Sequence, residues 1–488
     1  MMTIYQKRAL FILFVSLMLI IVLVQFNPFE AKKKEKNVSV WLTTGDQTNL
    51  LTEKPELHFS KEEKTSVKKI TIDRQDTYQT MKGFGASLTG SSAYLINKKL
   101  DTRARDSLLN DLFTRNGINL NYVRHTIGAS DFSVDEKGNP STYTYDDTNG
   151  EMDLGLDQFS IQKDQDAASV LQSILHRKNK LRIMGTPWTA PPWMKYGEKT
   201  HNGWYLNYTN EEIYKAYAGY FVRYLEAYKE KGIPIDSITV QNEPGYTSPD
   251  YPSMSMGAEE QAEFIGQYLG PAFKSNGIKT SIMAYDHNWE GALDYATSLL
   301  KDEKASQYTA GIAFHCYEGT PDAMDSVHEQ FPDKNIDVTE CSGGEWSKDF
   351  GDNLSWQMTH LIIGSPRNWA ESVLMWNLAL DEHNGPTNGG CQNCRGVVTI
   401  NQTTGEITKN VEYYVLGHAS KFVQPGAVRI GASTYKGTIE TVAYQNPDRS
   451  FVLIASNPSE EEQEFQVRDG QVYFTYKLPP QSAVTFVW

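Results

Sequence analysis

The sequence predicts a (β/α)8 barrel joined to a β-sandwich that draws its strands from both ends of the chain. Three observations predict it. Between about residues 81 and 410, short β-rich apolar runs alternate with segments of helical periodicity. Each of those runs closes in polar or aromatic residues, which a purely structural strand does not need. Outside that stretch, residues 38–80 and 411–488 hold short β-branched runs separated by turn residues. The chain has 488 residues, 40% hydrophobic and 12% aromatic, enough apolar material for a large barrel and a satellite domain.

The first segment, 1–36, differs from the rest. Lys7 and Arg8 precede an apolar run over 9–24, and Lys32-Lys33-Lys34 follow it. This reads as an export signal. The run is short for a bilayer span, yet no small-x-small cleavage site follows it, so an uncleaved membrane anchor and a removed signal peptide are both open. Either places the folded part outside the cytoplasm, secreted or membrane-anchored.

Val38 to Leu42 and Lys69 to Ile72 then alternate as strands but are too few to fold alone. Their partners are expected in the tail, at Thr438 to Tyr444, Phe451 to Ala455, Glu464 to Val467, Gln471 to Tyr476 and Ala483 to Trp488, which Asn-Pro, Asp-Gly and Pro-Pro turns separate. The barrel strands are expected at Gly83 to Leu88, Tyr122 to Ile127, Leu181 to Thr186, Ser237 to Gln241, Thr280 to Ala284, Gly311 to Cys316, Ile336 to Thr339 and Ser372 to Leu378. Helical spacing marks Thr102 to Thr114, Lys163 to Arg177, Glu211 to Lys231, Glu259 to Ser275 and Leu354 to Ile363, with fainter patterns near 290–300 and 322–330.

Two of these strands end in carboxylates. Ser237-Ile238-Thr239-Val240-Gln241-Asn242-Glu243-Pro244 is an apolar strand delivering an amide and an acid to a loop that proline stiffens. Asn335-Ile336-Asp337-Val338-Thr339-Glu340 likewise delivers Glu340 to the turn Ser342-Gly343-Gly344. In a parallel barrel, ligands bind at the carboxyl ends of the strands, and two carboxylates there are what glycosidic bond cleavage requires. A single glutamate at a strand end is more often a cap or an ion-pair partner; two, one flanked by an amide and a proline, shift that balance.

A formal net charge of -14 excludes nucleic acid as a partner, because no basic stripe is available to displace counterions from phosphates. Cys391-Gln392-Asn393-Cys394 lacks the second close pair that a zinc site needs and reads as a local loop disulfide; Cys316 and Cys341 read as buried apolar fillers. No spacing of His or Asp suggests a metal, and no cofactor is expected. Sequons at Asn37, Asn207, Asn353 and Asn401 matter only in a glycosylating source, and oligomeric state is not legible.

Taken together, Val240 to Pro244, Asp337 to Glu340, Gly185-Thr186-Pro187-Trp188-Thr189-Ala190-Pro191-Pro192-Trp193-Met194-Lys195, Trp376-Asn377-Leu378-Ala379-Leu380 and Leu416-Gly417-His418-Ala419-Ser420-Lys421-Phe422 resemble glycoside hydrolase family 30, the glucosylceramidase-like group, over about residues 65–488. The resemblance implies a barrel fused to a side β-sandwich and a retaining mechanism, with Glu243 as general acid/base and Glu340 as nucleophile. It places Asn242 at the sugar 2-hydroxyl, and Asp131, Trp188 and Trp376 at glucose-binding positions. Arg124 and Tyr317 are expected to support Glu340 as an anion, while Glu243 is expected to hold a proton. His315 is open between a pocket-lining residue and a hydrogen-bonded structural histidine.

The loops 245–251 and 389–396 depart from the animal lysosomal pattern and resemble microbial members, which include β-1,6-glucanases and β-xylosidases. The expected substrate is therefore a β-glucoside, either a glycolipid such as glucosylceramide or a β-1,6-glucan. The alternatives are a β-xylosidase and a non-catalytic carbohydrate-binding barrel at the cell surface.

Overall fold

The computed structural model describes residue 4 and residues 37–201 and 204–488. The run 9–24, expected to direct export or anchor the chain, lies outside them. Among the described residues no helix is long and apolar enough to cross a membrane.

Eight parallel strands close a barrel: β1 (Gly83–Leu88), β2 (Tyr122–Ile127), β3 (Arg182–Pro187), β4 (Ser237–Thr239), β5 (Ser281–Asn288), β6 (Thr309–His315), β7 (Asn335–Glu340) and β8 (Ser372–Asn377), with β8 pairing back onto β1. Helices lie between them, and their starts follow from sequence. Asp101 accepts a hydrogen bond from Ala104 N to cap Thr102–Phe113, and Asn210 caps Glu211–Glu230 through Glu212 N. The helical stretch expected at Glu259 to Ser275 runs through Ala258–Glu263, Phe264–Leu269 and Gly270–Ser275, its middle part wound as a π-helix.

Because strand side chains alternate, every second residue points into the barrel. Tyr122, Met184, Met283, Ala313 and Leu374 form one buried interior layer there. Below it, Lys82 Nζ donates to Asp337 Oδ2 at 2.6 Å and pairs with Glu371 at 3.1 Å, closing the floor. Two residues beyond the apolar layer, toward the carboxyl ends of the strands, stand Arg124, Thr186, His315 and Trp376.

The second domain is a nine-stranded sheet in the order Thr52–His58, Asn37–Thr44, Ser482–Val487, Phe451–Asn457, Glu440–Gln445, Val428–Ala432, Lys68–Thr80, Gln463–Asp469 and Val472–Leu478. Both chain ends thus contribute to one β-sandwich. Its faces separate by alternation: Val40, Leu453, Ala455 and Phe486 enter its own core, whereas Val442, Tyr444, Val452 and Ile454 join the barrel's core.

Two expectations are corrected. The segment taken to open the sandwich begins instead with a helix, Val411–Ser420, whose Val415, Leu416 and Ala419 pack in the barrel's core; the first sandwich strand after it starts at Val428. Cys316 and Cys341 are not separate fillers but a disulfide, because the parallel neighbours β6 and β7 bring their Cα atoms to 5.3 Å just beyond the strand ends. Cys391 and Cys394 form the local loop disulfide.

Candidate active site

The barrel strands aim their last side chains by breaking register. On β7 the pairing with β6 slips between Val338 and Glu340, so Thr339 and Glu340 both turn toward the barrel axis. On β5 a similar slip falls between Tyr285 and His287, and Tyr285 and Asp286 take left-handed backbone angles with φ of 71° and 69°. Glu243, past the end of β4, also has a positive φ of 43°. Such conformations cost of order 1–3 kcal/mol each in a non-glycine residue and persist where surrounding bonds over-determine them. Here those bonds converge on one cluster.

Arg124 is its centre and is fully buried. Its guanidinium donates to Glu340 Oε2 at 2.5 Å, Asn242 Oδ1 at 2.7 Å and Asp286 Oδ2 at 2.9 Å. Tyr317 Oη donates to the other oxygen of Glu340 at 2.8 Å. Asp286 also accepts from Thr239 and Thr339, and burial, which alone would raise its pKa, is outweighed by Arg124 and His315, which hold it below the usual carboxylate range.

His315 lies beneath the pocket rather than in its wall. Its Nδ1 is 3.0 Å from Glu243 Oε1, and its Nε2 is 3.1 Å from Asp286 Oδ1. Burial opposes its charge, yet Glu340, Asp286 and Glu243 around it raise its pKa to about 9. Glu243 is shifted the opposite way: burial would raise it, but the bond to His315 and the charges of His315, His287 and Arg124 bring it below its ordinary value. The expectation that Glu243 itself holds the proton is therefore corrected for the free protein. The opposed shifts of the pair favour the proton on His315, one hydrogen bond away.

Oxygens of Glu243 and Glu340 and a nitrogen of His315 lie within 4.8 Å of one another, the one such trio among the described residues that could hold a metal. Both nitrogens of His315 and both oxygens of Glu340 are already engaged, so the set is arranged for proton transfer.

Above this cluster opens a pocket of about 380 Å³ lined by Asp131, Trp188, Asn242, Glu243, Tyr317, Glu340 and Trp376, together with Tyr246, Tyr251, His287, Asn288, Glu318, Trp346, Cys391 and Cys394. Trp188 and Trp376 stack at 5.1 Å and form its apolar floor, with Arg124 4.9 Å and 5.5 Å from their ring centres. Asn242 gives its oxygen to Arg124, a donor-only group, which leaves its amide N–H groups facing the pocket. Asp131 has a buried carboxyl oxygen without a hydrogen-bond partner, and burial, then the charges of Glu340 and Glu243, raise its pKa well above the ordinary value. An unsatisfied acceptor in a pocket wall is a place for an incoming hydroxyl.

The residues singled out from sequence thus gather at one end of the barrel, with Arg124 and His315 under the pocket and the others lining it. Sequence reasoning passed over Asp286, because β5 was expected to stop at Ala284; the polar run Asp286-His287-Asn288 directly after it was the available signal. Tyr246 and Trp346 carried no periodic signal, being loop residues.

Comparison with known proteins gives the following. The glycosyl hydrolase family 30 TIM-barrel domain matches residues 81–423, and the glycosyl hydrolase family 30 β-sandwich domain matches residues 426–486. The chain is 36% identical over 446 residues to an endo-1,6-β-D-glucanase of Aspergillus fumigatus, covering 86% of this chain and 87% of that one. It is 27% identical over 437 residues to the lysosomal acid glucosylceramidase of Mus musculus, covering 86% and 83%. Among solved structures, an endo-β1,6-glucanase superposes with a TM-score of 0.83 at 34% identity, covering 93% of this chain and 99% of that one.

Proposed function

This chain belongs to glycosyl hydrolase family 30 and is a glycoside hydrolase, and on that premise we propose that it cleaves β-1,6-linked glucan by double displacement, with Glu340 as nucleophile and Glu243 as acid/base. The observation that carries the reading is the carboxylate spacing. Retaining enzymes hold their two carboxyl groups roughly 5–5.5 Å apart, inverting enzymes roughly 6.5–9.5 Å, and here oxygens of the pair approach within 4.8 Å.

A glucose unit resting on Trp188 and Trp376, with hydroxyls on Asp131 and its 2-hydroxyl at Asn242, brings its anomeric carbon to Glu340. Glu340 then forms the glycosyl ester while Glu243 protonates the departing oxygen, drawing on the proton it shares with His315. In the second half Glu243 takes a proton from water, which attacks the same carbon and frees Glu340. Arg124 and Tyr317 orient Glu340 throughout.

Substrate choice rests on relatives. Relatives named as endo-1,6-β-glucanases from Aspergillus fumigatus and Trichoderma harzianum are 36% and 34% identical, whereas those named as glucosylceramidases from Caenorhabditis elegans and Mus musculus range from 33% to 27%. Both substrate types release a primary alcohol from a β-glucoside, so one catalytic pair serves either, and what lies beyond the alcohol must be read by the pocket rim. Two disulfides among the described residues and the apolar run 9–24 behind Lys7 and Arg8 support action outside the cytoplasm.

The test is hydrolysis of linear β-1,6-glucan, glucosylceramide in detergent and an aryl β-xyloside by residues 38–488, with the product anomer followed by NMR. Release of β-configured gentio-oligosaccharides as first product is expected. First release of the α-anomer would exclude double displacement, and turnover of glucosylceramide alone would replace the glucan reading.

A further inference from the structure

The pocket has two tiers. Its inner tier is buried, with Trp188 and Trp376 each only 3% exposed, whereas the aromatic rings at its mouth, Tyr246 and Trp346, are 48% and 57% exposed. Glu340 and Glu243 fall between the two in exposure, their side chains 7% and 16% exposed. A sugar seated on the inner rings with its anomeric carbon at the carboxylates leaves the next sugar one direction to go, outward past Glu243 and across the mouth.

The two mouth rings are held firmly for exposed side chains. Tyr246 sits on the loop that carries the acid: its backbone N–H donates to Glu243 O at 2.9 Å, and its ring stacks on Tyr251 at 6.4 Å. Trp346 sits on the loop that carries the nucleophile. There Gly343 and Gly344 pair antiparallel with Arg395 and Cys394, and Glu345 N donates to Asn393 O at 2.8 Å. The Cys391–Cys394 disulfide closes the facing turn, and Arg395 ties its base to the buried Glu412 at 2.8 Å. The indole lies flat against Gly344, where any Cβ would stand 2.0 Å from the ring. A side chain at that position would displace the ring. A braced indole that keeps more than half of its surface in water is a surface kept ready for an apolar face, and the C–H face of a pyranose is one.

We propose that Tyr246 and Trp346 form the subsite for the leaving-group glucose of β-1,6-glucan, holding it from the acid's loop and the nucleophile's loop. A 1,6-linkage adds a freely rotating methylene between the two rings of the substrate, so the glycosidic oxygen faces Glu243 only when the departing sugar is itself fixed. The proposal rests on the glucanase reading above.

The experiment compares gentiotetraose, which fills this subsite, with β-gentiobiosyl fluoride, whose leaving group does not. For Trp346→Ala and, separately, Tyr246→Ala, kcat/KM on gentiotetraose is expected to fall about 30-fold, while the value on the fluoride stays within about threefold. Trp346→Phe should recover most of the loss. An equal fall on both substrates would assign these rings a structural role and overturn the proposal, as would no fall on either. If the unsubstituted enzyme does not turn over gentiotetraose, the glucanase reading falls and the proposal with it, and that result is visible before any variant is made.

Discussion

Nδ1 of His315 and Oε1 of Glu243 lie 3.0 Å apart beneath the pocket, and the histidine's other nitrogen is 3.1 Å from Asp286. One proton therefore serves a glutamate and a histidine together. Glu243 is lowered and His315 raised to about 9, which favours the proton on the histidine in the free protein.

A pH dependence follows from that pair. Loss of the shared proton near pH 9 leaves Glu243 without an acid to deliver, so the alkaline limb of kcat/KM on β-1,6-glucan is expected near that value. A substrate with an activated leaving group should show a much weaker limb. Stability has the same sign: His315 titrates near 6.5 in the unfolded chain and at about 9 when folded. Its contribution is full below about pH 6.5 and is lost as pH rises through about 9. His315→Asn should flatten the fall in urea midpoint over that window. A midpoint falling as steeply in the variant as in the parent would count against the shared proton.

The roles of the two carboxylates separate by rescue. Glu340→Gly should lose essentially all turnover, because no other carboxylate can reach the anomeric carbon, and azide should restore an α-glycosyl azide. Glu243→Ala should lose about 10³-fold or more on glucan but keep the first step with an activated aryl glycoside, and azide should yield the β-azide. NMR of the azide products decides, and the reverse pattern would exchange the assignments.

The Cys316–Cys341 disulfide joins the residue after His315 to the residue after Glu340. It therefore ties together the strand ends that present the proton relay and the nucleophile, and Trp376 N hydrogen-bonds Cys341 O at 2.8 Å from the next strand. Replacing both cysteines with serine should lower unfolding free energy by roughly 3 kcal/mol, the loop between them being short. It should also lower kcat about tenfold, because the bridge fixes the strand ends that carry His315 and Glu340. A variant with lowered thermal stability and unchanged kcat would limit the bridge to stability.

What the sequence made legible follows the physics of each part. The barrel strands stood out because a parallel barrel buries both faces of every strand, giving apolar runs such as 312–314 and 373–376. Glu243 and Glu340 stood out because each ends such a run. Asp286 did not, because it is delivered by a bulge, and a bulge is an extra residue whose presence only the neighbouring strand reveals. The Cys316–Cys341 pair was missed for a related reason: β6 and β7 are neighbours in space, while 25 residues separate the cysteines in sequence. The helix 411–420 was read as sandwich because its residues are buried nearly all round, which leaves little amphipathic pattern to detect.

That helix carries the final prediction. Its Gly417-His418 pair faces the sandwich and the barrel at once. A Cβ at Gly417 would stand 2.7 Å from Leu51 and 2.9 Å from Ile118, so the helix approaches closely only because that position has no side chain. Beside it, the fully buried His418 is hydrogen-bonded to Thr485 Oγ1 at 2.9 Å and Thr43 Oγ1 at 2.8 Å, linking a sandwich strand from each end of the chain. Burial lowers its pKa to about 3, so it remains neutral over the working range and acts as a hydrogen-bonding strut. His418→Ala leaves two buried hydroxyls each short of a partner and should cost about 1–3 kcal/mol, and Gly417→Val should cost a similar amount by overpacking. Because the helix is remote from the pocket lining, kcat and KM at 25 °C should be unchanged in both variants while the urea midpoint falls. A loss of kcat at full stability would instead connect this interface to the catalytic end of the barrel.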